Sequence, residues 1–426
     1  MAGPSAAPYA LLRQAFDAAL EAAAPARCLP PFLDGLGGGP AVVLGAGKAA
    51  ASMAAAFRAH WPGEVRGFVV TRYGHGLAAG EDAGDIEVVE AGHPSPDEAS
   101  LAAGARLLEL AASVRPDETL CCLISGGGSA LAAAPLPGLR FEQKRAAANF
   151  LIRAGADIRE INCVRKHLSA LKGGRLARAA RPARVITFAI SDVPGDAPAD
   201  IASGPTVPDA TTQADARAIL ERYGYPHIAE LAPILDDPRF ETPKPSDADF
   251  AGDAVHTIAS AATALDAARR VLERAGFEVR CLGDRLDDEA QALGAAHARL
   301  ARETLAGGRP TALLSGGETR VVLGSAASGR GGRNTEYLAA LALALDGLPG
   351  VYALAADTDG IDGHGDHAGA MIGPDVLERG AVRGLSLQTM LAQHDTYGYF
   401  DACESLLRTG PTRTNVNDFR LILCQP

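Results

Sequence analysis

The sequence predicts an α/β fold built on a mostly parallel sheet, and three observations predict it. Short apolar runs rich in β-branched residues recur, each ends in a glycine- or aspartate-rich turn, and an alanine-rich helical stretch follows. The clearest strands are residues 41–44, 67–70, 120–124 and 185–190. In open sheets of this kind ligands bind beyond the carboxyl ends of the strands, where these turns fall.

The chain of 426 residues exceeds what one core normally holds, so two domains are expected. Prolines at 233, 238, 243 and 245 interrupt the pattern and place the boundary near residue 240, giving domains 1–240 and 241–426. Beyond it the rhythm resumes with helices over 259–275 and 288–305 and strands at 311–314 and 351–355.

The net charge of −11 gives no electrostatic reason to bind nucleic acid or anionic lipid. An anionic substrate then needs local positive groups, such as backbone N–H clusters or a few placed lysines and arginines. Seven scattered cysteines, none spaced C-x-x-C, suggest neither a disulfide framework nor a zinc site. The first 30 residues mix charges into an amphipathic pattern, and no later stretch is apolar enough to span a bilayer. A cytoplasmic protein is expected.

Gly45-Ala46-Gly47-Lys48-Ala49-Ala50 follows a strand and opens a helix. It lacks the spacing of a P-loop but fits the G-x-G-x-x-A dinucleotide fingerprint, so an NAD(P)H-dependent reductase is one reading and a plain tight turn another. Lys48 opposes the macrodipole of the helix it opens, which makes sense if an anion lies between. Ser125-Gly126-Gly127-Gly128-Ser129 is the stronger signal, because three glycines between hydroxyls after a buried strand let backbone N–H groups converge on a phosphate. A flexible turn is the bland alternative.

The run from Asn162 to Leu176 gathers Arg165, Lys166, Lys172 and Arg175, either as a solvated helix face or as an anion site. Asp192 closes the strand at 185–190 and is placed to act as a base or a magnesium ligand, or simply to cap a turn. Ser315-Gly316-Gly317 repeats the strand-then-glycine design, which makes Gly316 and Gly317 candidate nucleotide contacts, and Arg333 sits on a glycine frame. Asp357, Asp359 and Asp362 crowd three carboxylates without the EF-hand glycine, and His364 with His367 is weak metal spacing.

In this order these motifs, together with Gly92-His93-Pro94, Ser203-Gly204-Pro205-Thr206 and Thr409-Gly410-Pro411-Thr412 leading to Asn417-Asp418, resemble the glycerate 2-kinase family of the non-P-loop type with a MOFRL C-terminal domain. The resemblance implies a Rossmann-like N-terminal domain, a smaller mixed α/β C-terminal domain and an active site in the cleft between them. It also implies transfer of the ATP γ-phosphoryl to D-glycerate with Mg²⁺, giving 2-phosphoglycerate. Lys48 and Arg333 match the family's characteristic lysine and arginine.

The expected roles follow. Residues 125–129 hold nucleotide phosphate or the substrate carboxylate, Lys48 and Arg333 neutralise charge, Asp192 takes the hydroxyl proton, and Asp359 and Asp362 hold magnesium. A homodimer is compatible with the sequence, which leaves oligomeric state open. Departures from the family pattern are Thr335 for glutamine, His364-Gly365-Asp366-His367 for Pro-Thr-Asp-Ala, and Arg413 for a glycine. The alternatives are a hydroxypyruvate reductase using NAD(P)H and a non-catalytic nucleotide- or sugar-phosphate-binding module.

Overall fold

The computed structural model describes residues 6–323, 329–363 and 365–426. It divides into two compact units, Pro25–Ile258 and the helix Ala6–Ala23 together with Ala259–Pro426. This division differs from the expected boundary near residue 240. The proline-rich segment is an ordered strap of the first unit. The Arg175 guanidinium donates to the carbonyls of Phe240 and Glu241 at 2.6 and 3.4 Å, and the Asp209 N–H donates to Pro243 O at 2.8 Å.

The first unit is built on a six-stranded sheet of β1 (Ala41–Ala46), β2 (Val65–Arg72), β3 (Ile86–Ala91), β4 (Thr119–Ile124), β5 (Arg184–Ile190) and β6 (Ala254–Ala259). Its order is β3-β2-β1-β4-β5-β6, that of a dinucleotide-binding fold. The four pairs from β3 to β5 are all parallel. Nearly every residue of β1, β4 and β5 is buried, as a parallel sheet covered on both faces requires. Cys121 and Cys122 pack inside β4, and burial pushes the Cys121 thiol up to about 12, so both behave as small hydrophobes. All seven cysteines are free.

The second unit carries a mixed sheet of β7 (Glu278–Gly283), β8 (Thr311–Gly317), β9 (Val351–Asp357), β10 (Gly369–Ile372), β11 (Leu406–Leu407) and β12 (Asp418–Cys424). Its order is β11-β10-β9-β12-β8-β7, parallel only between β7 and β8. The helix Ala6–Ala23 belongs here because Phe16 packs on Phe419 of β12 and Tyr9 on Tyr352 of β9, with centroids 5.4 and 5.6 Å apart. Among the described residues no helix is long and apolar enough to cross a membrane.

Candidate functional site

The order of the first sheet reverses between β1 and β4, and both glycine turns lie at the carboxyl ends of these two strands. Their backbones differ in what they leave open. At 45–48, strand β1 itself runs through Gly45 to Ala46. The N–H of Gly47 donates to Val70 O (3.1 Å), that of Lys48 to Gly126 O (2.9 Å) and that of Ala49 to Ser125 Oγ (3.0 Å). Ser125 is wholly buried and plugs the turn, and a Cβ on Gly47, whose φ is +146°, would lie 2.1 Å from its hydroxyl oxygen. A diphosphate finds no N–H to bind there, so the fingerprint at 45–50 is structural.

The 125–129 turn is the opposite case. Gly128 and Ala130 donate back to Ser125 and Gly127, but among the described residues the N–H groups of Gly126, Gly127 and Ser129 have no protein acceptor. Gly127 adopts φ +80°, and a Cβ there would lie 3.0 Å from His93 Nε2 and 3.4 Å from the Lys48 Cγ. Lys48 and His93 thus both lie against Gly127. The Ser129 hydroxyl lies 3.2 Å from that of Ser203, which is held at φ +62° beside Asn162.

This turn opens on a cavity of about 480 Å³ lined by His93, Lys144, Arg145, Arg165 and Lys172 and, among the described residues, by no carboxylate. Lys172 Nζ donates to Ser129 O at 2.8 Å, and Lys144 Nζ reaches Ala134 O at 3.5 Å. Both side chains are buried, and neither has an acidic partner among the described residues. Burial pushes Lys144 down to about 7, reinforced by the Arg165 and Arg175 charges. Lys172 is driven well below the lysine range by burial and by Lys144 and Arg165. Such a cluster is costly to keep charged without a counter-ion.

The run 162–176 divides on inspection of its partners. Lys166 pairs with Asp209 at 3.3 Å, and His167 bonds Glu241 at 3.0 Å. Glu241 is held down to about 2: burial alone would raise it, but the Gln213 and Thr242 N–H groups and Lys244 outweigh that. The N–H groups of Gly173 and Gly174 go to Ser203 O and Gly204 O. Lys166, His167, the two glycines and Arg175 are therefore scaffold, and only Arg165 and Lys172 line the cavity. Asp192 follows β5, partly buried, and is not among the residues lining it.

Lys144 was not singled out in the sequence. The signal was present, because Lys144 interrupts the apolar stripe of the helix Phe141–Arg153, one turn before the buried Ala147 and two before the buried Leu151.

In the second unit Arg333 opens the helix Arg333–Leu345 and is held by three carboxylates: Asp418 and Glu318 at 2.8 Å and Asp357 at 2.7 Å. Coulombic attraction to them outweighs burial and raises its pKa well above the ordinary value. Asp418 is also paired with Arg420 and accepts from Asn334 at 2.8 Å.

Asp362, expected as a magnesium ligand, caps this helix instead. Its oxygens accept from the N–H groups of Asn334 and Thr335 at 3.0 Å and from the Thr335 hydroxyl at 3.1 Å. Desolvation lifts it to about 6. Asp359 is buried and accepts from the Ile361 N–H at 2.8 Å. The Asp362 oxygens are thus committed to the start of the helix, whereas magnesium takes one or two carboxylate oxygens with phosphate and water completing the shell.

Gly316 and Gly317, expected in a nucleotide loop, lie inside β8 paired with Phe419 and Asp418 of β12, which places no turn there. His364 lies outside the described residues. His367 is buried against Tyr397, with centroids 5.0 Å apart, and burial pushes it down to about 4. Among the described residues no three His, Cys, Asp or Glu side chains group as a metal cage.

Residues 11–233 match the family described as "Domain of unknown function (DUF4147)" and residues 311–418 the MOFRL family. The D-glycerate 2-kinase of Thermotoga maritima is 37% identical over 94% of this chain and 94% of its own length. The chain belongs to the glycerate 2-kinase family. A glycerate kinase crystal structure from the same organism superposes on this family member with a TM-score of 0.87 at 35% identity, covering 99% of this chain and all of that one. A relative from Agrobacterium vitis, 47% identical over 97% of this chain and 94% of its own, bears the name "Putative hydroxypyruvate reductase". Within the glycerate 2-kinase family, then, two activities are attached to names, and the plugged turn at 45–50 distinguishes between them.

Proposed function

We propose that this chain is a D-glycerate 2-kinase that transfers the γ-phosphoryl group of ATP to the C2 hydroxyl of D-glycerate. The observation that carries the reading is the contrast between the two turns. The N–H groups of the dinucleotide fingerprint are spent on Val70, Gly126 and Ser125, whereas those of the 125–129 turn face a cationic cavity. A reductase needs the first turn open, and a phosphoryl-transfer enzyme needs the second.

Roles follow from placement. The 125–129 turn with Lys172 holds phosphate charge, and Lys48, lying against Gly127, neutralises the transferring group. Asp192, at the carboxyl end of β5, accepts the proton of the C2 hydroxyl. Arg333 keeps its catalytic assignment in altered form. It holds Glu318, Asp357 and Asp418 fixed, and this acid-rich end of the second sheet, with Asp359, is where magnesium would be held. Bound magnesium would supply charge neutralisation on the phosphates.

Purified protein with D-glycerate, ATP and Mg²⁺ should release ADP and 2-phosphoglycerate, and with hydroxypyruvate and NADPH or NADH should leave the nicotinamide absorbance unchanged. Activity in the second mixture alone overturns the reading, and activity in neither favours a binding module.

A further inference from the structure

The second unit holds a cavity of its own, of about 630 Å³, whose lining includes Thr319, Val321, Arg330, Arg333, Glu336 and His394. It shares no lining residue with the cavity at the 125–129 turn. Glu336 is buried in its wall with both oxygens engaged, accepting from His394 Nδ1 at 2.8 Å and from Gln291 Nε2 at 2.7 Å. A carboxylate only accepts, so the imidazole donates through Nδ1 and the neutral ring keeps its lone pair on Nε2. Among the described residues Nε2 has no partner, and His394 is held there at a φ of +58°, a left-handed backbone that a histidine adopts at a cost. Two donors of the same wall are also unused. The Arg330 guanidinium lies 4.1 Å from the centroid of the Tyr397 ring, and among the described residues no oxygen accepts from it or from the Gly331 N–H. Arg333 is committed to Glu318, Asp357 and Asp418.

We infer that this cavity is a binding site for a polyhydroxylated anion, its charged group on Arg330 and the Gly331 N–H and one hydroxyl donating to His394 Nε2. A bare oxyanion satisfies the guanidinium but meets the imidazole lone pair with lone pairs of its own. A ligand that uses both groups must therefore carry a donor close to its charge. A hydroxyl on a neighbouring carbon supplies one. The volume exceeds what a three-carbon acid fills and suits a sugar acid or a sugar phosphate, which share this chemistry. Glu336 and Gln291 are positioning residues, because their bonds fix which ring nitrogen carries the proton. The site goes beyond the kinase reading and uses no residue of the 125–129 turn.

The test is direct binding to the full chain. Calorimetric titrations use D-gluconate and glucose 6-phosphate, each beside the bare oxyanion with the same charged group, acetate and inorganic phosphate. Wild type should bind one of the two hydroxylated anions about fivefold or more tighter than its bare counterpart, and which one binds tells carboxylate from phosphate. Arg330→Met should weaken that ligand about tenfold or more. His394→Asn, a residue that tolerates the left-handed backbone, should bring the hydroxylated anion down to the affinity of the bare one and leave the bare one unchanged. Lys172→Met, in the other cavity, should leave both unchanged. Failure of both hydroxylated anions to bind, equal affinity for bare and hydroxylated anion, or a loss that follows Lys172→Met and not Arg330→Met overturns the site. Arg330 is exposed, so Arg330→Met decides the case even if His394→Asn does not fold. The readout is binding alone: failure of glycerate phosphorylation leaves the site standing, and failure of the site leaves the kinase reading standing.

Discussion

The Lys172 amine donates to the Ser129 carbonyl at 2.8 Å from a position only 2% exposed, and among the described residues it has no acidic partner. Replacement by methionine removes the charge and keeps the volume. Lys172→Met should lower kcat/KM at least 100-fold while Tm changes little, because burial and the Lys144 and Arg165 charges already favour the neutral amine in the free enzyme. A large loss of Tm with intact turnover would make Lys172 a structural residue.

Lys144 predicts a pH signature of binding. Its folded pKa is lowered to about 7 from 10.5, so between these values the unfolded chain holds a proton that the folded one lacks. The stability of the free protein should therefore rise with pH across that window, and Lys144→Met should flatten the rise. An arriving anion restores the charged form. At pH 8 nucleotide binding should take up a proton, measurable as a buffer-dependent calorimetric enthalpy, and at pH 6 the uptake should vanish.

Lys48 and Arg333 should separate by stability. Lys48→Ala should lower kcat by orders of magnitude and, because its backbone N–H still bonds Gly126 O, should cost less stability than Arg333→Ala. Arg333→Ala removes one partner each from the buried Asp357 and Asp418, the latter still paired with Arg420, and should cost about 1–3 kcal/mol of stability besides activity. Denaturant unfolding of both variants checks the contrast.

Asp362 and Asp359 make the magnesium question experimental. Asp362→Ala removes a helix cap and should cost about 1–2 kcal/mol while leaving the magnesium concentration for half-maximal activity unchanged. Asp359→Asn should raise that concentration severalfold. The reverse pattern would return Asp362 to the metal.

Arg413 adopts a φ of +59°, the left-handed region that glycine tolerates best. A non-glycine residue in the left-handed region costs roughly 1 kcal/mol. Arg413→Gly relieves this strain but also removes the side chain's hydrogen bond to Pro411 O at 3.2 Å, so the unfolding free energy, read by denaturant unfolding, should change by less than that amount.

The sheet of the first unit was legible because its strands are buried on both faces and end in glycines. Residues 41–44, 120–124 and 185–190 read as strands from apolar runs alone, and β1, β4 and β5 contain them. β3, whose middle is only partly buried, and the half-exposed β7 lack that pattern and were not legible. Gly316 and Gly317 misled because glycine inside an antiparallel pair looks like glycine after a strand. Asp362 misled because a carboxylate that caps a helix 28 residues earlier in the chain is invisible to local spacing. Lys144 escaped notice because a lysine every few residues is ordinary on a helix, and only the stripe it interrupts marks it as buried.

Ser125 has a consequence beyond this chain. Strand order and the spacing of Gly45, Gly47 and Ala50 match a dinucleotide-binding fold, but the Ser125 hydroxyl, with Val70 O and Gly126 O, takes the N–H groups of that turn. Sequences that share both the 45–50 pattern and the serine that closes it are poor candidates for nicotinamide chemistry, whatever they are called. A relative with glycine or alanine in place of Ser125 is where a vestigial cofactor slot should be sought.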